Sequence, residues 1–413
     1  MARGLVKGIP SGTGKGITGA IQKDLVYGES ISSKMLAIAK TEIGIYERSI
    51  TIDSSKIGTV LTNYPSRVEL TSSNFDFSKV REDGNDIRFL DGLDNLIPFE
   101  KTYFNKSEQS AVFDVKIATV SSSLNTVFSM VYGDDSSNDK SNKTETWNDD
   151  YEAVLHLGES LEDSTGNGNN GTNVGTTVVE GISGKARNFN GSSRINLNDS
   201  TLTDNTGGIH NTTIQAIVNQ DDSNLDQSIL TYRGQSENLQ MNYFITNSGV
   251  NNNYPFYDTF PPSGGAILFN QTVPINTFNL IQASISQNSN FAKLDINKLT
   301  SDSVYSETYT GSKATSLNIG ALSSPSFSNF FRGKIQEVRI LKNNLSDDWR
   351  LADYYNLLEK SLISIGPETG GGSETTKIFA TTDISELQNA TELVVTEDSR
   401  IAEETGSVLS ILR

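Results

Sequence analysis

Between Ser66 and Leu341 the chain is written in short runs that alternate apolar and polar residues, among them "SRVEL", "AVFDVKIATV", "TIQAIVN", "FNLIQASI" and "GKIQEVRIL". A period of two sends successive side chains to opposite faces of a strand, so each run can bury one face and offer the other to water or a partner. The intervening stretches are rich in Asn, Ser, Thr and Gly, which suits turns between antiparallel neighbours. The expected fold class is therefore all-β, with two antiparallel β-sandwich domains, an extended N-terminal arm and a short C-terminal β segment.

Breaks in this pattern divide the chain. Residues 1–29 read as an extended basic arm and 30–62 as a strand-rich segment in which "GIYERSITI" alternates. Residues 63–134 read as a small sandwich, and "REDGND" (Arg81 to Asp86) as one of its turns. Residues 135–146, apolar-free and charged, read as a linker, and 147–360 as a larger β domain. One helix is expected in "LSDDWRLADYYNLLEK", where Ser346 or Asp347 can cap and Trp349, Ala352, Tyr355 and Leu358 fall at helical spacing. The Gly-rich 361–373 reads as a hinge and 374–413 as an acidic C-terminal segment.

Composition narrows the function classes. The 413 residues carry a formal net charge of −17, no cysteine and two histidines. Such a balance disfavours nucleic acid and anionic membrane surfaces, and the missing cysteine removes disulfides, thiolate catalysis and cysteine-ligated zinc. No run approaches the length of a bilayer-spanning helix, and the basic first residues lack the apolar segment of a secretory signal. Arg3, Lys7, Lys15 and Lys23 stand in a stretch without acids, whereas the segment from Glu368 holds nine acidic residues against three basic ones. The arm is expected to dock by these four cations.

Motifs for chemistry are sparse. "GIPSGTGKGIT" (Gly8 to Thr18) imitates a phosphate loop, but Ile9 stands where the first glycine belongs and Gly16 where the magnesium-binding hydroxyl belongs. Glycoside hydrolysis requires two flanking carboxylates; in "EVRILKN" Glu337 is present, but Arg339 and Lys342 take the other acidic positions of a Glu-x-Asp-x-x-Glu strand. His156 reads as a packed strand histidine, and His210 sits in a loop without a partner. No catalytic residue is assigned and the chain is not expected to be an enzyme. Glu162, Asp163, Asn167 and Asn169 in "LEDSTGNGNNG" supply hard oxygens, so Ca2+ is the one cofactor considered, against the plainer reading that they build the turn. A sugar site would combine aromatic faces with amides. Tyr232, Asn242, Tyr243, Asn251, Tyr254, Phe256 and Tyr257 are the candidates, with Asn251 to Gly265 read as a long loop.

Two stretches carry a resemblance. "NFDFSKVREDGNDIRF", the following "IPFE" and the closing "YGD" resemble a small β-sandwich domain of unassigned function from bacterial, archaeal and phage surface proteins. "TWNDDYEAVLHLGE", "GKARNFNGSSRINL" and "FRGKIQEVRILKNNLSDDWRLADYYN" look like a concanavalin A-like, laminin-G-like jelly roll. This sequence departs from that second family at Phe278, where a tryptophan is usual, and at "LDINKLTSDS", which replaces a hairpin. The resemblance implies a lectin-like architecture, and fold alone leaves the activity open. The expected function is a virion structural protein, a capsid decoration, fibre or tail-associated subunit. Its arm would bind capsid or tail subunits, its jelly roll would touch host glycans, and it would be a homo-oligomer on the particle surface, made in the host cytoplasm. The alternatives are a free carbohydrate-binding adhesin and a divergent glycoside hydrolase.

Overall fold

A computed structural model describes residues 35–40, 46–134, 138–147, 150–197, 211–221, 226–234, 240–246, 254–259, 266–268, 273–286, 291–304, 314–323, 327–370, 377–381 and 392–393. The fold is all-β and built from antiparallel sheets. Two of them make the small sandwich. A four-stranded sheet runs in the order Ile363–Gly370, Tyr46–Ile52, Thr126–Tyr132, Arg88–Leu90, and a three-stranded sheet in the order Leu61–Thr71, Ser110–Val120, Phe99–Asn105. Alternate residues fill the space between them, with the Phe89 ring set edge-on to Phe99 and Phe113 at 5.2 and 5.4 Å. The Arg81–Asp86 turn forms as expected: Gly84 takes φ +64° beneath the Phe104 ring, and Asp86 accepts from the backbone N–H of Arg81 and Gly133.

The larger domain packs an eight-stranded sheet on a seven-stranded one around Leu155, Phe189, Val218, Ile281, Leu317 and Val338. Arg332–Leu341 lies at the heart of the first sheet. It pairs with Asn211–Gln220 on one side, and on the other with Lys185–Asn190 and then Tyr151–Leu155. The pairing slips by one residue at Gln336, since Ile217 faces Glu337 while Val218 faces Ile335. This bulge turns both Gln336 and Glu337 away from the core. Gln336 then clasps a neighbouring loop, its Oε1 accepting from Ile182 N at 2.6 Å and its Nε2 donating to Ser183 O at 3.0 Å. "LDINKLTSDS" does form a hairpin: Ile296 pairs with Leu299, and Asn297 adopts φ +58°, a conformation asparagine tolerates.

The helix begins where capping chemistry predicts. Ser346 Oγ accepts from Trp349 N at 3.2 Å, and Asp347–Asp353 is α-helical with Asp347 and Asp348 in the first turn. Tyr354–Leu358 then widens into a π turn. The extra residue splits the expected apolar stripe: Trp349, Ala352 and Tyr355 join the small-sandwich core, whereas Leu358, Leu357 and Tyr354 cover Ile217 and Leu280 of the eight-stranded sheet. One short helix is thus wedged between both domains. It also covers a polar row of that sheet, Arg339, Gln215, Gln282 and Asp295. Asp353 accepts from Gln215 Nε2 at 2.6 Å, Arg350 O accepts from Gln282 Nε2 at 2.9 Å, and Arg350 Nε donates to Asp295.

Two expectations need correction. Residues 361–373 are not simply a hinge, because Ile363–Gly370 is the edge strand of the small sandwich, paired with Tyr46–Ile52. Pro367 and the glycines that suggested a break are tolerated at an edge, where one side of the strand needs no partner, and the register shift between Arg48 and Ile50 absorbs the irregularity. The 135–146 stretch is more than a linker. Asn142 N donates to Phe99 O at 2.7 Å, and Asn142 caps the short helix Lys143–Thr146. The larger domain is therefore inserted between the last two strands of the smaller one. Ending the chain after Leu362 is expected to abolish hydrogen-exchange protection across 46–132 and to leave the strands of 211–221 and 332–341 protected. Undiminished protection in the first region would contradict this account.

Candidate functional site

The residues read as sugar contacts fall on three adjacent strands of the seven-stranded sheet, apart from Asn251, which lies outside the described residues. Tyr232 is in Gln227–Gly234, Asn242 and Tyr243 are in Gln240–Thr246, and Tyr254, Phe256 and Tyr257 are in Tyr254–Thr259. The stretch expected as one long loop from Asn251 to Gly265 therefore contains a strand, held by residue-for-residue pairing with Gln240–Thr246. Register sorts the candidates into two sets. Tyr232 aligns with Leu317, and Tyr243 with Leu230 and Tyr257. Leu230 and Leu317 belong to the buried core, so these three tyrosines occupy core-face rows. Asn242, Tyr254 and Phe256 occupy rows of the opposite face.

That opposite face has an ordered chemistry. Asp258, Asn242, Thr231, Asn318, Asn196 and Thr172 are successive cross-strand neighbours in a single row. In the adjacent row Phe256 stands opposite Phe244. Thr231 donates its hydroxyl to Ala321 O at 2.8 Å, Asn196 Oδ1 accepts from Arg194 Nε at 2.9 Å, and the Phe327 ring lies 3.7 Å from the Arg194 guanidinium. Asn318 is buried, and its Nδ2 has no hydrogen-bond partner among the described residues.

The calcium candidates do not converge. Asp163 is buried, and its carboxylate accepts from Val154 N, Thr165 N, Thr165 Oγ1 and Asn169 N at 2.8–3.1 Å. Asn167 and Asn169 both donate their amides to Glu152 O, and Glu162 turns outward to Lys143 at 2.7 Å. In these contacts the groups build the loop, the plainer of the two readings. Among the described residues no group of three or more His, Asp or Glu could hold a metal ion. Arg3, Lys7, Lys15, Lys23 and His210 lie outside the described residues.

The principal ionic site joins the two domains. Arg67 of the small sandwich makes a bidentate pair with Asp114, Nε to Oδ1 at 3.0 Å and Nη2 to Oδ2 at 2.9 Å, and its Nη2 also meets Glu337 Oε2 at 2.7 Å. Glu337 Oε2 lies 3.0 Å from His156 Nδ1, and Glu337 Oε1 accepts from Arg339 Nε. His156 Nε2 reaches back to Glu100 Oε2 at 3.2 Å. Trp147 Nε1 and Ser164 Oγ complete the Glu100 carboxylate at 2.7 and 2.6 Å, and the Arg339 guanidinium rests on the Trp147 ring at 4.9 Å. Sequence reading noticed His156, Glu337 and Arg339 one at a time and missed Arg67, Glu100 and Asp114, because each sits on the polar face of an alternating strand and reads as solvated.

Burial works against a charged imidazole, yet the carboxylates of Glu100 and Glu337 outweigh it and push His156 up to about 10. Burial likewise opposes ionisation of Glu337, but Arg339, Arg67 and His156 hold it well below the carboxylate range, and His156 lowers Glu100 in the same way. A glycosidase pair needs one carboxyl that keeps its proton near neutral pH. Both carboxylates here stay ionised, so the arrangement is an ion cluster rather than an acid–base pair. Asp353 behaves in the opposite sense: burial raises it to about 6 although Gln215 and Tyr64 donate to it.

Residues 83–168 match a family described as a domain of unknown function, DUF2341. The matched span contains Glu100, Asp114, Trp147, His156 and Ser164, so it crosses the junction between the domains. No curated protein sequence matches the chain. Among solved structures, domain 4 of AbnA, an extracellular arabinanase from Geobacillus stearothermophilus in complex with arabinotriose, is 19% identical over 49% of this chain and 97% of that one, with a TM-score of 0.42. The CBM40 of the Ruminococcus gnavus IT-sialidase, bound to alpha2,3 sialyllactose, is 14% identical over 44% and 95%, with a TM-score of 0.32. The botulinum neurotoxin serotype C1 binding domain is 12% identical over 50% of this chain and 52% of that one, with a TM-score of 0.40.

Removing the imidazolium leaves Glu100 and Glu337 facing one another without a cation between them. His156→Ala is expected to destabilise the protein by about 3–5 kcal/mol, the usual cost of stranding buried charge, as measured by urea unfolding at pH 7. For Asp353 the folded value lies above the ordinary aspartate value of 3.8. Its contribution to stability is therefore present below about pH 4 and lost as pH rises through about 6. Asp353→Asn is expected to flatten that decline, so the variant should gain on the wild type between pH 5 and pH 8. A constant difference across that range in thermal denaturation would reject the assignment.

Proposed function

We propose that this protein is a glycan-binding adhesion protein whose contact surface is the outer face of the seven-stranded sheet. The observation that carries the reading is the register row of amides, hydroxyls and a carboxylate, Asp258 to Thr172, beside the Phe244–Phe256 pair. Sugars present hydroxyls that both donate and accept, together with C–H faces that pack on rings, and a polar row flanked by aromatics answers both needs. The other sheet supports the same conclusion by elimination. Its polar row is already covered by the helix and the small sandwich, with Gln215 bonded to Asp353, Gln282 to the Arg350 carbonyl and Arg339 to Glu337.

Display on a particle, anchored through Arg3, Lys7, Lys15 and Lys23, is compatible with this surface, and nothing in the glycan reading depends on it. A catalytic role finds no support in the junction, where both buried carboxylates are ionised. The double variant Asn242→Ala, Phe256→Ala tests the proposal on a glycan array. It is expected to weaken binding of at least one array glycan retained by the wild type at least about tenfold, roughly 1.4 kcal/mol. Retained affinity for every such glycan in the double variant, or a wild-type protein that holds no glycan, would refute the reading.

A further inference from the structure

A cleft of about 470 Å³ opens where the two domains meet, within the size range of small-molecule sites. One wall comes from the small-sandwich strand Phe99–Asn105, with the rings of Tyr103 and Phe104, and the other from residues 156–164 and 183–185 of the larger domain. Its floor is the ion cluster: Arg67, Glu100, His156 and Glu337 all line it. This floor is fixed in place, since each charge is held by at least two partners.

Charge decides what such a cleft can hold. The floor contributes two cations and two anions. At the mouth Lys143 is paired with Glu162 at 2.7 Å, Lys101 with Asp139 at 3.1 Å, and Lys185 with Glu108 and Glu180 at 3.0 and 2.5 Å. With Glu82, Asp83 and Glu159 also in the lining, six carboxylates face five cations, so a strongly charged ligand of either sign meets like charge as well as unlike. A neutral ligand disturbs no pair, and it meets donors and acceptors together: the hydroxyls of Ser160, Ser164 and Thr102, the carboxylate of Glu159 and the mouth ammonium groups. The ring walls suit its C–H surface.

We propose that this interdomain cleft is a second binding site, taking a neutral, hydroxyl-rich ligand the size of a short oligosaccharide that touches both domains at once. The site is separate from the sheet face and stands or falls independently of it. Gly158 offers a clean way to test it. A Cβ there would make only ordinary contact with Lys185, at 3.5 Å from its Cβ, so Gly158→Ala should fold and bind normally, whereas Gly158→Trp should fill the cleft. Ser160→Trp, an exposed position on the opposite part of the same wall, is the second blocking variant should the first fail to fold.

The experiment is isothermal titration of wild type and variants with a panel of neutral trisaccharides, and with a sialylated trisaccharide as the charged comparison. Expected are binding of at least one neutral trisaccharide by the wild type and by Gly158→Ala, a loss of at least tenfold in a folded blocking variant, and no such loss in Asn242→Ala, Phe256→Ala. Blocking variants that bind as the wild type does would overturn the inference and leave the sheet-face reading intact. So would preference for the charged sugar, or no binding of any neutral trisaccharide. Loss in the blocking variants alone would support the cleft, and the sheet face is tested separately by the glycan array.

Discussion

Charge alternates across the junction between the two sandwiches. From Asp114 the chain of contacts passes to Arg67, Glu337, His156 and Glu100, so that Glu337 has a cation on either side, Asp114 a cation and the Thr102 hydroxyl, and Glu100 a cation and two neutral donors. Moving any one of these groups out of water alone would cost several kcal/mol. Assembled, they offset one another, and the bidentate Arg67–Asp114 fork fixes direction as well as distance. The orientation of the two domains, the shape of the cleft above the cluster and the choice of which jelly-roll face stays open all depend on this contact.

The wedge helix works with the cluster. Its α-helical half packs on the small-sandwich core, and the π turn redirects the next residues onto the larger domain. Arg350 and Asp353 cap the polar row that would otherwise be left dry and unpaired beneath a helix. The strand Ile363–Gly370 then returns to the small sandwich and closes its sheet. Because the larger domain is inserted into the smaller, ionic contact and chain connectivity constrain the same interface.

The same logic separates the two sheets of the larger domain. Each carries a row of polar residues on its outer face. One row, containing Arg339, Gln215, Gln282 and Asp295, is consumed by intramolecular partners. The other, running from Asp258 to Thr172, has no second domain against it among the described residues; Thr231 and Asn318 at its centre are buried, and Thr231 donates to the Ala321 carbonyl. The second row is therefore on the face that the small sandwich leaves uncovered.

Alternation alone determined that the chain folds into antiparallel sandwiches, because a period of two leaves a strand no other way to bury its apolar side. Ser346 and the acids after it likewise marked the helix start through local hydrogen bonding, which sequence reports directly. The edge strand at Ile363–Gly370 was hidden, since proline and glycine signal a break unless a neighbouring strand supplies the missing order. The sugar candidates were found as a group but not sorted, because aromatics stand on both faces and only register assigns Tyr243 to the core rows and Asn242 to the open ones. Arg67, Asp114 and Glu100 were illegible for a related reason. Each is an ordinary polar-face residue in its own strand, and only the contact of two sheets distant in sequence converts solvated charges into a buried cluster.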